Sequence, residues 1–544
     1  MDNFLGFKDI DDAIGSTNKT SQVEALSRIM SGDSVFLSGV AGAGKSFVIN
    51  HAVDIMKDYF LNAGCDEKIL RDVIAVTGAT GLAAANLNGI TIHSYSGLGV
   101  CNADISDNPK KVFDKEFRDE VGISYGFFSS YKKMKNLRIL IIDEVSMLSA
   151  LFIDNLDTVL KMAKRSNKPF GGVTMVFVGD FMQLPPVAKN GDHEKSHMFA
   201  FEADSWKELN PKLLFMDKSR RSSDYRLNTI LNDMRESKIS TDTKKYLSES
   251  MKRTAQDSYV RLFIKNMDVD KYNDEKLEKL NAPVHLAKSS PIPVIENKKI
   301  SPNLKELENI KKKKYESFYK QLMLPADGII KLKVGAVVTI THNFAIDQYN
   351  FFAVNGDTGV IVKTRTDSVD VRLNRNGKTV NIPYVTKRVS FGIPYKDNSV
   401  IEKSASNRGN DKVKNRTVRD HIAIKYLPVK LSFATTIHKS QGQTLHGVVV
   451  DLRDCFLPGL GYVALSRVAD LNNLVVSGID KSAFRAFTKC SQMSKIVEEE
   501  AEKNSKEFSE NRSMYNTFLE NTQLLNVFWD DDFEQEIDND ILPF

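Results

Sequence analysis

The sequence predicts an α/β protein: two parallel-sheet lobes, with a small β-barrel inserted in the second. Three observations predict it. Apolar runs of strand length, Val35 to Leu37, Val73 to Val76, Ile139 to Ile142 and Val173 to Val178, alternate with helical stretches, the pattern of a parallel sheet with crossover helices. A second α/β set, Ala423 to Phe433, Gly447 to Leu452 and Leu474 to Val476, recurs around a turn at Tyr462 to Arg467 and implies a second lobe. Between them Val334 to Thr341, Gly359 to Lys363, Val369 to Leu373 and Thr379 to Tyr384 alternate or cluster β-formers, separated by Asn-Gly and Gly-Asp turns.

These observations divide the chain into residues 1–215, the first lobe, interrupted by a mixed polar insertion at about 97–135; residues 216–333 with 421–490, the second lobe; and residues 334–420, the barrel with a basic loop. Residues 491–544 read as a charged helix and an acidic tail without fixed structure.

At 544 residues the chain is too long for one core. With 27% charged residues, it has no apolar stretch near the ~20 residues of a membrane span. Met1 to Asp12 has neither a signal nor a transit layout, so an intracellular, cytoplasm-like location without membrane contact is expected. Cys65, Cys101, Cys455 and Cys490 form no C-x-x-C pair, which argues against a zinc or iron–sulfur site and for reduced thiols. The net charge of +5 is too small alone to indicate nucleic acid, but it is uneven, basic in the body and acidic at the C-terminus.

Gly39-Val40-Ala41-Gly42-Ala43-Gly44-Lys45-Ser46 lies between the first apolar run and a helical stretch, the setting of a Walker A phosphate loop. Glycines turn backbone N–H groups toward phosphates, Lys45 neutralises the terminal ones, and Ser46 offers its hydroxyl to Mg²⁺. The run Leu140 to Ile142 ends in Asp143 and Glu144: Asp143 suits Mg²⁺ through its water shell, and Glu144 suits polarising an attacking water. Read alone, the pair is equally a helix cap with a surface neighbour. Gln183, after the Gly179-Asp180 turn, is placed to sense a γ-phosphate and its attacking water, or else to stabilise the turn.

Taken in order, the phosphate loop, Val76 to Ala84 with Gly89 to Tyr95, Asp143-Glu144-Val145-Ser146-Met147, Gly179-Asp180 to Pro186, Thr435 to Thr444 and Tyr462 to Val468 resemble the motif series of superfamily-one DNA helicases of the PIF, Dda and RecD group. The resemblance runs from about Thr20 to about Asp480. It implies two RecA-like domains, ATP and Mg²⁺ as cofactors, and 5′ to 3′ movement on single-stranded DNA with unwinding of forked duplex in replication, recombination or repair. It also implies roles for single residues. Gln22 reads the adenine edge, Gln441 and Gly442 line the phosphate cleft, and Arg221 and Arg467 reach the γ-phosphate, with Arg220 competing for the place of Arg221. Where relatives carry Gln after that arginine, this chain has Ser222. Thr91, His93, Ser94 and Tyr95 on the first lobe and Thr436, His438 and Lys439 on the second are implied to bind DNA. The insertion lies where relatives carry a strand-separating pin, with Phe113 and Phe117 as wedge or core residues.

Asp530 to Phe544, acidic and ending in Pro-Phe, resembles the tail tip of bacterial and phage single-strand-binding proteins. It implies a tail that docks a replication or repair protein or folds back on this chain's own DNA groove, against the plainer reading of a solubilising tail, in a bacterial or virus-infected cell, on a chain acting as a monomer. Two other readings are an ATP-driven single-strand translocase that displaces bound proteins, and a nucleotide-switched recruitment module working through its tail.

Overall fold

The computed structural model describes residues 20–62, 70, 72–124, 126–188, 192–256, 259–292, 319, 322, 324–345, 351–374, 376–397 and 416–510. Met1 to Asp12, the Lys311 to Lys314 run, residues 403–415 of the basic loop and the Asp530 to Phe544 tail lie outside them. The described residues fall into two compact units, Met1–Asn266 with Thr435–Phe544, and Met267–Ala434.

The first unit holds both parallel sheets. Its larger sheet has six strands, β1 (Val35–Gly39), β2 (Ile74–Gly78), β3 (Ile90–Thr91), β4 (Ile139–Asp143), β5 (Thr174–Val178) and β6 (Lys212–Met216), in the order β3-β2-β4-β5-β1-β6. All neighbours are parallel, with Val35 opposite Val176 on one side and Lys212 on the other. Both faces are covered, which is why β1 and β4 are buried along their whole length and read as unbroken apolar runs rather than as alternation. One face packs on helices Gln22–Met30 and Lys45–Asn62, through residues such as Leu26, Ile29, Val48 and Ile49. The other face opens into a larger core shared with helix Ala150–Lys164.

The smaller sheet has four strands, in the order Ala434–Thr436, Val260–Phe263, Val448–Leu452, Leu474–Ile479, and pairs Val448 in parallel with both Val260 and Leu474. Helix Thr488–Glu510 then runs along β6, where the Asn504 amide donates to the Leu213 carbonyl at 2.9 Å, with Cys490, Val497, Ala501 and Phe508 buried.

The insertion at Gly97 to Lys135 is helical. A 3-10 turn at Pro109–Phe113 and helices Lys115–Val121 and Phe127–Met134 send Val112, Val121, Phe127 and Met134 into the first-lobe core, where Leu98 and Ile105 from the chain before them join. Phe117 packs against that core, while Phe113 is 38% exposed and meets the Tyr131 ring edge-on at 5.2 Å.

The second unit contains a five-stranded antiparallel sheet, in the order Thr379–Pro383, Ser368–Leu373, Thr358–Thr364, Val337–Ile340, Val429–Leu431, with its own core around Val338, Ile340, Ile361, Val371, Ile382 and Val429. One expectation is corrected here. The run Ala423 to Phe433, assigned to the second parallel lobe, divides between strands Arg416–Tyr426 and Val429–Leu431, both in antiparallel sheets of this unit. Pro428 has no N–H to give a ladder and separates the two, while its carbonyl accepts the Thr341 N–H.

Candidate functional site

In a parallel α/β sheet the loops leaving the carboxyl ends of the strands gather on one edge, and ligands bind there. Four such loops meet in the first unit: the phosphate loop after β1, Asp143-Glu144 at the end of β4, the Asp180 turn after β5, and Arg220-Arg221 beyond β6. They line a cleft of about 470 Å³, joined by Gln22 and, from the smaller sheet's side, by Gly442 and Arg467.

The phosphate loop is shaped by its glycines. Gly42 has φ of 78°, and a Cβ there would lie 2.6 Å from the Arg221 Cβ; Gly44 has φ of 92°, and its Cβ would lie 2.8 Å from the Gln22 amide nitrogen. A side chain at either would be strained and would push apart the groups the loop holds together. The Gly42 carbonyl accepts the N–H groups of both Arg220 and Arg221, at 2.8 and 3.1 Å. Arg221 is therefore fastened to the phosphate loop itself. Its guanidinium in turn donates to the Ser466 carbonyl at 3.2 Å.

Lys45 begins the helix that follows and turns back on the loop, donating to the carbonyls of Gly39 (2.9 Å) and Val40 (3.3 Å). Burial depresses its pKa against the opposing pull of Asp180, Glu144 and Asp143. Arg467 is buried, its guanidinium held by the carbonyls of Val463 (2.8 Å), Ser440 (3.2 Å) and Gln443 (3.3 Å). Burial first and the neighbouring Arg221 charge second bring it down to about 10. Arg221 is lowered too, by burial. Three cations, Arg467 buried and Lys45 and Arg221 half-buried, each disfavoured as a cation by its surroundings, converge on one cleft; an anion between them relieves that cost.

The acidic side is built differently. Burial, and next the Glu144 charge, push Asp143 up to about 7, against the Glu144 N–H, Lys45 and the Ser46 hydroxyl, which all stabilise its anion. Glu144 has left-handed backbone, φ 55°, a conformation that costs a residue with a Cβ roughly 1 kcal/mol or more. It is held there by its N–H donating to Asp143 Oδ1 (2.9 Å) and by Gln441 Nε2 donating to its carboxylate (3.2 Å). Gln183 is buried at the same cleft and its side-chain oxygen has no protein partner; the Gln441 oxygen and both polar atoms of the Gln22 amide are likewise unpartnered. Gln22 is the first residue of its helix, set by the Ser21 hydroxyl accepting the Glu24 N–H at 3.0 Å.

Every residue expected at the nucleotide is thus at or beside this cleft, while Phe47 and Asn86, which also line it, had no motif to mark them. Sequence reasoning also missed a buried cluster next to it. Asp180 accepts two hydrogen bonds from Arg235 (2.9 and 2.8 Å) and one from the Tyr462 hydroxyl (2.9 Å). Asp180 and Tyr462 stand inside quoted motifs, but Arg235 is one basic residue on a helix with nothing to set it apart.

The residues expected on DNA sort less evenly. Ser94 and Lys439 are exposed, and Thr91, His93 and His438 are half-buried. The two Thr-Ile-His segments match in build: the Thr91 hydroxyl accepts the Ser94 N–H and the Thr436 hydroxyl the Lys439 N–H, each at 3.4 Å. Tyr95 and Thr436 depart from the expectation. The Tyr95 ring is 7% exposed and belongs to the first-lobe core, and Thr436 is buried with its hydroxyl capping the next turn.

The sequence profile of the PIF1-like helicases matches residues 19–244. ATP-dependent DNA helicase PIF1 of Saccharomyces cerevisiae is 26% identical over 84% of this chain, which spans only 59% of that relative's length. Among solved structures, Pif1 helicase from Candida albicans superposes with a TM-score of 0.66 at 25% identity, covering 88% of this chain and 98% of that one. The fold is shared too by Bacteroides Pif1 in complex with ADP-AlF3 and ssDNA, with a TM-score of 0.64 at 24% identity, covering 88% and 98%. Motif order, sequence and fold agree in likening the chain to the PIF1 type of superfamily-one helicases.

Proposed function

We propose that the chain is an ATP-dependent DNA helicase that moves 5′ to 3′ on single-stranded DNA and opens forked duplex in replication, recombination or repair. The convergence of Lys45, Arg221 and Arg467 on a cleft that also holds Asp143, Glu144 and Gln183 carries this reading. The polarity rests on the family resemblance. The fold shared with a Bacteroides Pif1 captured with ADP-AlF3 and ssDNA supports the nucleotide and single-strand parts of the reading.

In this reading the Gln22 amide pairs with the adenine edge, and Lys45 leaves the Gly39 and Val40 carbonyls for the phosphates. Ser46 beside the buried Asp143 fits Mg²⁺, a cation that keeps most of its waters and needs few protein oxygens. When bound, the ion neutralises charge on the phosphate oxygens. Glu144 orients the attacking water, Gln183 bridges that water and the γ-phosphate, and Arg221 and Arg467 stabilise the charge on the transferring group. Because Arg467 sits just after the helix that leads from the smaller sheet, the nucleotide bridges the two sheets, and hydrolysis releases that bridge.

Single-stranded DNA is assigned to the exposed ends of the matched segments, Thr91, His93 and Ser94 on one side and His438 and Lys439 on the other, with the 97–135 segment beside the fork and the chain acting as a monomer. Asp530 to Phe544 is assigned to docking a replication or repair protein. A tail-deleted chain is then expected to keep its DNA-stimulated ATPase; loss of that activity would overturn a docking role. No helix among the described residues is long and apolar enough to cross a membrane.

The deciding experiment measures ATP hydrolysis with and without single-stranded DNA, beside Lys45→Ala. Stimulation by DNA, abolished in the variant, is expected. Hydrolysis indifferent to DNA would overturn the motor reading in favour of a nucleotide-switched module.

A further inference from the structure

Behind the nucleotide cleft the Tyr462 hydroxyl, carried by a helix on the smaller sheet's side, stands between two strand-end loops of the larger sheet. It accepts the N–H of Ala41, in the phosphate loop, at 3.1 Å, and it donates to Asp180, in the turn that leads to Gln183, at 2.9 Å. Asp180 is fixed from its other side by Arg235, which also donates through its second nitrogen to Ser494 at 3.0 Å. Asp180 and Tyr462 are nearly inaccessible and the Arg235 side chain is only 8% exposed, so these hydrogen bonds are made in a low-dielectric setting where their loss is costly. Burial and the nearby Asp180 charge keep the phenol well above its ordinary pKa and so protonated.

Tyr462 belongs to helix Leu460–Leu465, and Arg467 lies two residues past its end. The Arg467 guanidinium is bonded to the carbonyl of Val463, the residue next to the tyrosine, at 2.8 Å, and its N–H to the carbonyl of Ala464 at 3.3 Å. At the helix start Gly459, with φ of 86°, lies so close that a Cβ would be 2.8 Å from the Gln183 carbonyl oxygen. The helix is thereby seated on the Gln183 turn at one end and pinned to the phosphate loop by one hydroxyl in its middle. It carries the arginine at the other end.

We propose that Tyr462 is a positioning residue: through its hydroxyl it registers the Arg467 helix against the phosphate loop, so that the arginine meets the γ-phosphate in reacting geometry. The inference rests on the reading of the cleft as an ATPase site. A tyrosine kept only to fill space would be replaced by phenylalanine without consequence, since the ring is unchanged. A registering hydroxyl would not, because misplacing a reacting group by an ångström costs on the order of 10²-fold in rate.

The test uses the full chain, oligo-dT as the single-stranded probe, and steady-state ATP hydrolysis. Tyr462→Phe is expected to lower kcat by roughly 10- to 100-fold, with KM for ATP within about threefold and the thermal midpoint near that of the parent. In an Arg467→Ala background it is expected to cost nothing further, since the tyrosine acts through that arginine. An unchanged kcat, or losses that multiply in the double variant, would overturn the proposal. Should Tyr462→Phe destabilise the fold, Asp180→Asn takes away the carboxylate that the hydroxyl meets and must show the same kcat-selective, non-additive loss. A parent chain that hydrolyses no ATP would instead end the proposed function, so the two failures are distinguishable.

Discussion

Gln22 brings to the cleft an amide with neither polar atom engaged by the protein, lying across Gly44 of the phosphate loop. Adenine offers a donor at N6 and an acceptor at N7, which such an amide matches in both senses, whereas guanine presents acceptors at both places. Gln22→Ala is therefore expected to raise KM for ATP about tenfold or more while leaving KM for GTP nearly unchanged, as when a site built to hydrogen-bond its substrate loses that bond. Competition kinetics with the two nucleotides measure it; equal losses for both would mean that Gln22 only supports the loop. Gln22 came only with the family resemblance, whereas residues at strand ends were legible in the sequence because short-range geometry places them. Lys45, Ser46, Asp143 and Glu144 each sit at or just past a strand end, and a strand end in a parallel sheet has one destination. Arg235 was not legible, since its partner Asp180 is 55 positions away and no local pattern joins them. Tyr95 was misplaced for the opposite reason: it is adjacent to the exposed Ser94, but in helix Ile92–Ser96 adjacent residues face different ways.

At the scale of elements, helix Gln22–Met30 carries the Gln22 amide that lines the cleft and also a buried ionic cluster. Arg28 is fully buried within 3.6 Å of Glu24 and 3.5 Å of Asp33, and donates to the Asn504 carbonyl of the C-terminal helix at 3.1 Å. Burial drives Glu24 up to about 7 and outweighs the pull of Arg28. The sign follows from linkage. An acid whose folded pKa exceeds its unfolded value of 4.5 binds its proton more tightly when folded, so its contribution is full below about 4.5 and is lost as pH rises through about 7. Unfolding free energy should fall across that window by on the order of 1–3 kcal/mol, and Glu24→Gln should flatten the decline. Urea denaturation of both proteins at a series of pH values measures this, and parallel curves would sink it. Elements with a regular period or a cap were readable in advance, as in the strands of the antiparallel sheet from Val337 to Pro383. The 97–135 insertion was not, because its buried positions, Leu98, Ile105, Val112, Val121 and Phe127, follow no single period across a 3-10 turn and two short helices.

For the molecule as a whole, the described residues of the nucleotide cleft, from Gln22 to Arg467, lie outside Met267–Ala434, which has a separate hydrophobic core. The chain leaves the first unit after strand Val260–Phe263 and returns just before Ile437, whose N–H donates to the Phe263 carbonyl at 3.0 Å. Exit and return are therefore side by side, and a short flexible linker spans them at little cost in loop entropy. A chain in which residues 267–434 are replaced by such a linker is expected to fold, because neither the larger core nor the β1–β6 sheet loses a contributor. It should bind a fluorescent ATP analogue within about threefold of the full protein, a difference of roughly 0.6 kcal/mol. Calorimetry and fluorescence titration on that protein settle the point. A folded chain with a cooperative transition that has lost nucleotide binding would mean that the inserted unit helps to form the cleft. Retained binding together with lost DNA stimulation would instead assign the inserted unit to coupling, because nucleotide affinity is a property of the four strand-end loops and stimulation depends on what the chain does with the polymer.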